Sequence, residues 1–521
     1  MTELPSAAPG RRAMQPALAV IALLTGGGWG GIMAARLFVG GAVGMADNGD
    51  SRRLMCQLGV RALRPFNADA TKYIYPVWVA HHWYGEACGA DGSGEPYRSS
   101  ELWLLSMAKH LTPLLGFSGT LDLRVVGVMA CTLVGLAVAL LVLVLPGPWW
   151  ARVLLASGFG LAIGDSAVAD YFVSPYSEPA ALLGGLFIIV ILLWIWRRGY
   201  TTWPGLILIA LVGTFTMAAK TQSVALLPAL ALGILWLPHG TAARRPKASN
   251  PDASTRRRLV QVFCFRLPAL FTCVALLVAA IVILEAAPKR FNQIDSYDEV
   301  FNEILVHSPN PAADLKVLGV DPNLAYAKGS NVLSSNSAAT SPSYLQFRSH
   351  VTEALILEFY AAHPTRLLPV FGDGLHAMSV WRENYLGSYQ DGSGHRPGAL
   401  EHRLSVFSWV FHGAPSIVFV LLWITMLVLG LLTAWDRRID ERERALGRLA
   451  TVLAIASAFE FWSVMLGEGR SDLYKHIILT NELFAFGIVA TVACAVSRTR
   501  SVARSRNWRP LGPEGSATST S

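Results

Sequence analysis

Two carboxylates stand three residues apart in the segment Met45-Ala46-Asp47-Asn48-Gly49-Asp50, just where the first apolar stretch gives way to polar sequence. At helical spacing they would point to one side. Either Asp47 caps a short helix, or one of the pair takes the proton from an attacking hydroxyl, which is work for a carboxylate base. Cations able to meet an anionic leaving group lie far away in the chain. Lys220 sits in Ala219-Lys220-Thr221-Gln222, and Arg470, Lys475 and His476 crowd the segment from Gly467 to His476. An arginine offers a planar fork to phosphate and a lysine a point charge. Each has a plainer reading, as a side chain snorkelling to headgroups or as surface charge. Glu178 opens an apolar helix, where the helix dipole favours it, or it walls a site. Asp165 and Asp170, in the same stretch, read as helix ends.

The elements that must position these groups are set by hydropathy. Apolar residues make up 53% of the chain and charged residues 15%, well under the roughly 25% charged of a soluble domain. Windows long enough to cross a bilayer fall at 17–44, 123–145, 153–169, 179–196, 204–219, 222–237, 267–287, 407–434, 449–466 and 476–497. The fold class expected is an all-α polytopic membrane protein of about ten spans. The windows at 204–219 and 222–237 are short, so a re-entrant hairpin is the alternative there. The +8 charge points to nucleic acid only if it is spread evenly, and it is not. With both termini inside, the inner segments hold 22 Lys and Arg and 7 acidic residues, while the outer ones hold 19 and 24. Basic residues stay cytoplasmic, so the expected localisation is a multi-pass cell membrane protein with cytoplasmic N- and C-termini and no nucleic-acid partner. The first span reads as an anchor, not a cleaved signal.

This organisation divides the chain into a membrane region 1–237 with a first outer loop at 45–122, a basic cytoplasmic linker 238–266, a span at 267–287, a large outer region 288–406, terminal spans 407–497 and a basic, disordered tail 498–521. In the first loop, Leu54, Leu58 and Ala62 beside basic residues suggest an interfacial helix over 52–64. The aromatic run from Tyr73 to Tyr84 and the segment Glu101–Lys109 suit the headgroup layer. Cys56 and Cys88 share this loop, and an exterior compartment permits a disulfide between them. Glu460, inside a span, needs a partner such as Arg36 or a place in the wall of a site. In the outer region, helices are expected over Tyr297–Leu305 and Val351–Ala362, and Tyr360, Trp381, Tyr385, Tyr389 and Trp409 read as packing or as stacking faces for sugar. His363, His376 and His402 show no ligand spacing, and no histidine is assigned to a metal.

The acidic motif at the exit of the first span, the interfacial segments behind it and the spans that follow resemble the GT-C glycosyltransferases. Ser174–Pro179, Tyr385–Tyr389 and Gly467–His476 resemble bacterial hexose transferases of surface-glycan assembly more closely. The resemblance implies a GT-C-like helical bundle that takes sugar from a polyprenyl-phosphate carrier and inverts it onto a glycan acceptor outside the cytoplasm, among membrane lipids. It implies Asp47 or Asp50 as base, with Glu178, Lys220, Arg470, Lys475 and His476 binding substrate. If a metal takes part, Asp50 and Glu178 are candidate ligands, and their hard oxygens favour Mg²⁺ or Mn²⁺. A lipid-carrier flippase and a ligase of lipid-linked glycans are the alternatives. Few charges within the spans and large outer regions weigh against the flippase.

Overall fold

A computed structural model describes residues 10–62, 75–82, 88, 97–115, 119–198, 202–236, 255–348, 350–383 and 385–507. Among these, seven helices are long and apolar enough to cross a bilayer: Pro16–Phe38, Leu123–Val144, Glu178–Arg198, Leu267–Glu285, Ser416–Trp435, Glu441–Gly467 and Ile478–Ser501. An eighth crossing is built from Trp149–Ile163 and Ser166–Val173, which meet at a 55° bend. Asp165 makes the bend, its Oδ1 capping the second piece by accepting from Ala167 N at 3.1 Å. The two remaining apolar segments, Trp203–Met217 and Thr221–Leu235, fall short. At 1.5 Å per residue each reaches only about 22 Å against the roughly 30 Å of a hydrocarbon core. They form a hairpin whose tip, Lys220, is 3.5 Å from Glu178 at the start of the helix Glu178–Arg198 and whose first arm begins at Trp203, just past that helix's other end, so this pair runs alongside it as the short members of the ten expected windows. The chain is an all-α polytopic membrane protein.

Glu178–Arg198 runs through the centre of the bundle, almost wholly covered, while Leu267–Glu285 and Ser416–Trp435 leave most of their apolar surface uncovered, as lipid-facing helices do. The first helix and Leu123–Val144 approach closely because Gly26, Gly30 and Gly135 carry no side chain. A Cβ on Gly26 would come within 2.3 Å of the Gly135 carbonyl oxygen. The helix Thr255–Glu285 starts inside the stretch read as a linker, and the last helix runs on to Asn507 through the first part of the expected tail. Residues 237–254 and 508–521, the remainder of those two segments, lie outside the described residues.

The first loop departs most from expectation. A single helix over 52–64 does not form. Arg52–Met55 is helical, Cys56–Leu58 tightens, and Gly59 turns the chain with φ 64°. The chain then enters β1 (Val60–Ala62), which pairs antiparallel with β2 (Val79–His82), and β2 in turn with β3 (Thr120–Asp122). The register sets Val60 opposite His82 and Val79 opposite Asp122. Glu101–Leu111, the segment read as suited to the headgroup layer, is a helix with Trp103, Met107 and Leu111 facing outward. Cys56 and Cys88 are joined in a disulfide. Tyr73, Ile74, Trp83 and Tyr84 lie outside the described residues.

The region 288–406 packs on the same end of the bundle. Ala46 N donates to the Gly387 carbonyl at 3.0 Å and Gly44 N to that of Ser388 at 3.1 Å. Beneath this seam Asp170, fully buried, accepts from both Arg36 and Arg382 and from Ser388 Oγ at 2.8 Å. Arg36 therefore pairs with Asp170 and not with Glu460. Glu460 is buried among the last helices, where the charge acting on it is that of Lys220. The expected helices of this region are present, as Lys289–Asp298 continued by a π turn over Glu299–Ile304, and as Glu353–Ala362.

Candidate functional site

The short helix after span one is aimed by its turn. Asp47 Oδ1 accepts from Gly49 N at 2.8 Å and Ser51 N at 3.3 Å, and its other oxygen takes Ser51 Oγ. Both oxygens are engaged and the residue is buried, so Asp47 braces the turn that leads into Arg52–Met55, whose N-cap position is taken by Ser51. Gly49, at φ 112°, lets the chain double back and sends Asp50 the other way. Tyr176 clamps this turn, accepting from Asn48 N and donating to the Ala46 carbonyl, both at 2.9 Å.

Asp50 meets Lys475 in an ion pair. Lys475 is 1% exposed and lies 3.3 Å from Asp472 and 5.3 Å from the centre of the Tyr176 ring. Asp472 adopts a left-handed backbone, φ 46°, and accepts from Asn48 Nδ2 at 2.6 Å and from Tyr385. Burial drives the Asp50 carboxyl up, but Lys475, with Arg53 and His476 behind it, outweighs burial and holds it well below the usual carboxylate range. Burial would likewise discharge Lys475, and Asp50 and Asp472 keep it charged far above its ordinary value.

A second charged group adjoins the first. Lys220, at the hairpin tip, is 3.5 Å from Glu178 and 3.6 Å from Glu468, and it contacts His476, which also contacts Glu468. Burial raises the Glu468 carboxyl, yet His476 and Lys220 bring it down to about 2. Burial, helped by the two lysines, depresses the His476 imidazole against the pull of Glu468.

Both groups line one cleft of about 150 Å³. Asp295 and Asp298 close its far wall from the helix Lys289–Asp298. Burial pushes Asp298 up to about 7 and Asp295 well above the carboxylate range, with Glu468 adding to both. Of the residues singled out in the sequence, the cleft gathers Asp50, Glu178, Lys220, Lys475 and His476. Asp47 and Arg470 do not line it, and Arg470 turns to Asp373 at 3.3 Å. The candidate metal ligands Asp50 and Glu178 share the cleft, each with a lysine beside it. Tyr176, Asp295, Asp298, Glu468 and Asp472 were missed. Glu468 and Asp472 stood within the cation-rich segment itself, whereas nothing in the spacing of Asp295 or Asp298 points to them.

A larger cavity of about 620 Å³ lies behind the same segment, lined by Trp381, Glu383, Glu401, His402, Trp409 and Tyr474 among others. Tyr474 faces this cavity while its neighbour Lys475 faces the cleft. Glu383 is 1% exposed, and neither of its oxygens has a hydrogen-bond partner. Burial, with Asp472 adding to it and Lys475 opposing, lifts it to about 8. Of the expected stacking aromatics, Tyr360 donates to Glu299 at 2.7 Å, Tyr385 to Asp472 and Tyr389 to Glu401 at 3.0 Å, so these three serve the packing.

Together, the fold and the cleft define a multi-pass helical membrane protein with a charge-lined site at one end of its bundle. The chain belongs to the family of the YfdI N-terminal transmembrane domain, which it matches over residues 12–511. No curated protein and no solved structure matches it.

Proposed function

We propose that this protein is an integral membrane glycosyltransferase of GT-C type that moves a sugar, a hexose, from a polyprenyl-phosphate carrier to a glycan acceptor on the extracytoplasmic face. The observation that carries the reading is the convergence of Asp50, Lys475, Lys220 and His476 in one cleft at a bundle end. A transfer of this kind needs a base for the acceptor hydroxyl and cations for the departing phosphate, beside lipid that holds the carrier tail. The acceptor oxygen attacks the anomeric carbon and its proton passes to the Asp50 carboxylate. The bond from that carbon to the phosphate oxygen breaks, the configuration inverts, and polyprenyl phosphate leaves onto Lys475, Lys220 and His476. Lysines already neutralise Asp50 and Glu178, so the leaving-group charge is assigned to them and to His476, and no step is given to Mg²⁺ or Mn²⁺. The larger cavity, with Trp381 and Trp409 in its wall, suits the acceptor glycan.

The sidedness of the reading draws on the opposite end of the bundle, where Arg152, Arg197, Arg442, Arg448 and Arg498 gather as cytoplasmic residues do. The test is to incubate purified protein with a panel of polyprenyl-phosphate sugars and an acceptor glycan and to score carrier phosphate released. Release with glycosylated product supports the proposal. Movement of intact carrier across vesicles, with no product, would make the protein a flippase instead.

A further inference from the structure

We infer that Glu303, His307 and Asp373 form a binding site for a divalent transition-metal ion of the zinc class, separate from the charged cleft. One ligand atom from each residue lies within 4.8 Å of the others. His307 Nε2 is 2.8 Å from Asp373 Oδ2 and 3.3 Å from Glu303 Oε1. Bonds of about 2.0–2.1 Å to nitrogen and oxygen at tetrahedral angles put neighbouring ligand atoms roughly 3.3 Å apart. The two distances from His307, to Asp373 and to Glu303, already approach that value.

The second observation is Glu303 itself. Its side chain is fully buried, and neither carboxylate oxygen has a hydrogen-bond partner. An orphaned buried carboxyl costs its full desolvation. Three lone-pair atoms that converge also repel unless a positive centre stands among them. A proton on His307 Nε2 can serve Asp373, but it leaves Glu303 unsatisfied. A metal ion serves all three at once.

The surroundings fix the ligands as an outer shell does. Arg470 Nη1 holds Asp373 at 3.3 Å, and Arg366 donates to the His307 carbonyl at 2.8 Å while pairing with Asp314 at 2.9 Å. Glu303 itself sits in the π turn over Glu299–Ile304, with His307 just beyond it, and such insertions accompany functional sites. His307 and Asp373 keep 20% and 27% of their side chains exposed, which leaves a route in and room for water as a fourth ligand. One imidazole with two carboxylates favours zinc over the oxygen-seeking ions. The ion would tie Glu299–Ile304 to the helix Leu367–Val380 and, through Arg470, to the segment that carries Lys475.

The test uses the full chain in detergent and reads metal and unfolding, so it stands apart from sugar transfer. Elemental analysis of the wild type should find about one zinc per chain, and His307→Ala and Asp373→Asn, each eluting as a single species, should fall to about a tenth of that or less. Wild type stripped with chelator and titrated with ZnCl₂ should gain about 3 °C or more in Tm. This titration decides the matter alone if the variants do not fold. No zinc and no Tm response in the wild type would overturn the inference and leave His307 as a protonated bridge. Zinc retained by both variants would place the ion elsewhere, and a larger Tm gain with MnCl₂ than with ZnCl₂ would overturn the zinc class.

Discussion

Asp50 and Lys475 are separated by 425 positions in the chain and meet in one ion pair at the floor of the cleft. The relationship rests on two strained or permissive turns, Gly49 on one side and Asp472 in its left-handed conformation on the other. Asp472 also holds Lys475 and Asn48, so the pair is triangulated and not a chance surface contact. Lys475 therefore keeps a carboxylate partner when Asp50 is neutralised. That makes Asp50→Asn a clean test of chemistry.

Asp47 holds the turn before the short helix through its bonds from Gly49 and Ser51. Asp47→Ala should cost about 1 kcal/mol of stability, seen as a lower Tm in detergent. Asp47→Asn, which keeps an acceptor for Gly49 and Ser51, should retain most sugar transfer. If Asp47→Asn instead abolished transfer in a folded protein, the division of labour between the two aspartates would be reversed.

Asp170 joins Arg36 and Arg382 in the buried seam between the bundle and the region 288–406. Removing the shared anion leaves two buried guanidinium groups uncompensated. Asp170→Asn should cost about 3–5 kcal/mol, and the reading is thermal unfolding together with the yield of monodisperse protein. A Tm equal to wild type would show that the seam holds without its charge.

Stability should fall as pH rises through neutrality, and Glu299 is one cause. Burial lifts this carboxyl from 4.5 to about 8, with Asp298 adding to the rise and the hydrogen bond from Tyr360 opposing it. Between those values the unfolded chain has released its proton while the folded protein keeps one. The contribution is thus fully present below pH 4.5 and is lost as pH climbs through about 8. Glu299→Gln should flatten that slope in a Tm-versus-pH series. An unchanged slope would exclude Glu299 as a source.

Membrane orientation can be read by labelling single added cysteines with an impermeant reagent in intact cells. Asp391→Cys, exposed in the region 288–406, should react from outside, and Arg437→Cys, exposed at the opposite end, should react only after permeabilisation. The reverse pattern would put the cleft in the cytoplasm.

The bundle was legible in the sequence because a span needs about 20 apolar residues, and that requirement leaves a local trace. The cleft was partly legible for the same reason: Asp50, Lys220, Glu178 and Lys475 all sit at span ends, where charge is conspicuous. The sheet was not, since β1 and β3 are three residues each and the stop at Gly59 depends on pairing with a distant strand. Nor was the partner of Arg36, because Asp170 is 134 residues on and the choice between it and Glu460 is made by packing. Glu303 and His307 carry a visible four-residue spacing, but Asp373, which completes the group, arrives from another helix.

The most direct test of the central claim is carrier-phosphate release by Asp50→Asn, set beside the wild type and Asp47→Asn, with a polyprenyl-phosphate sugar and an acceptor glycan. Asp50→Asn should fold as the wild type does and lose about 10²–10⁴-fold in rate, while Asp47→Asn stays close to the wild type. Full release by a folded Asp50→Asn protein would contradict the account.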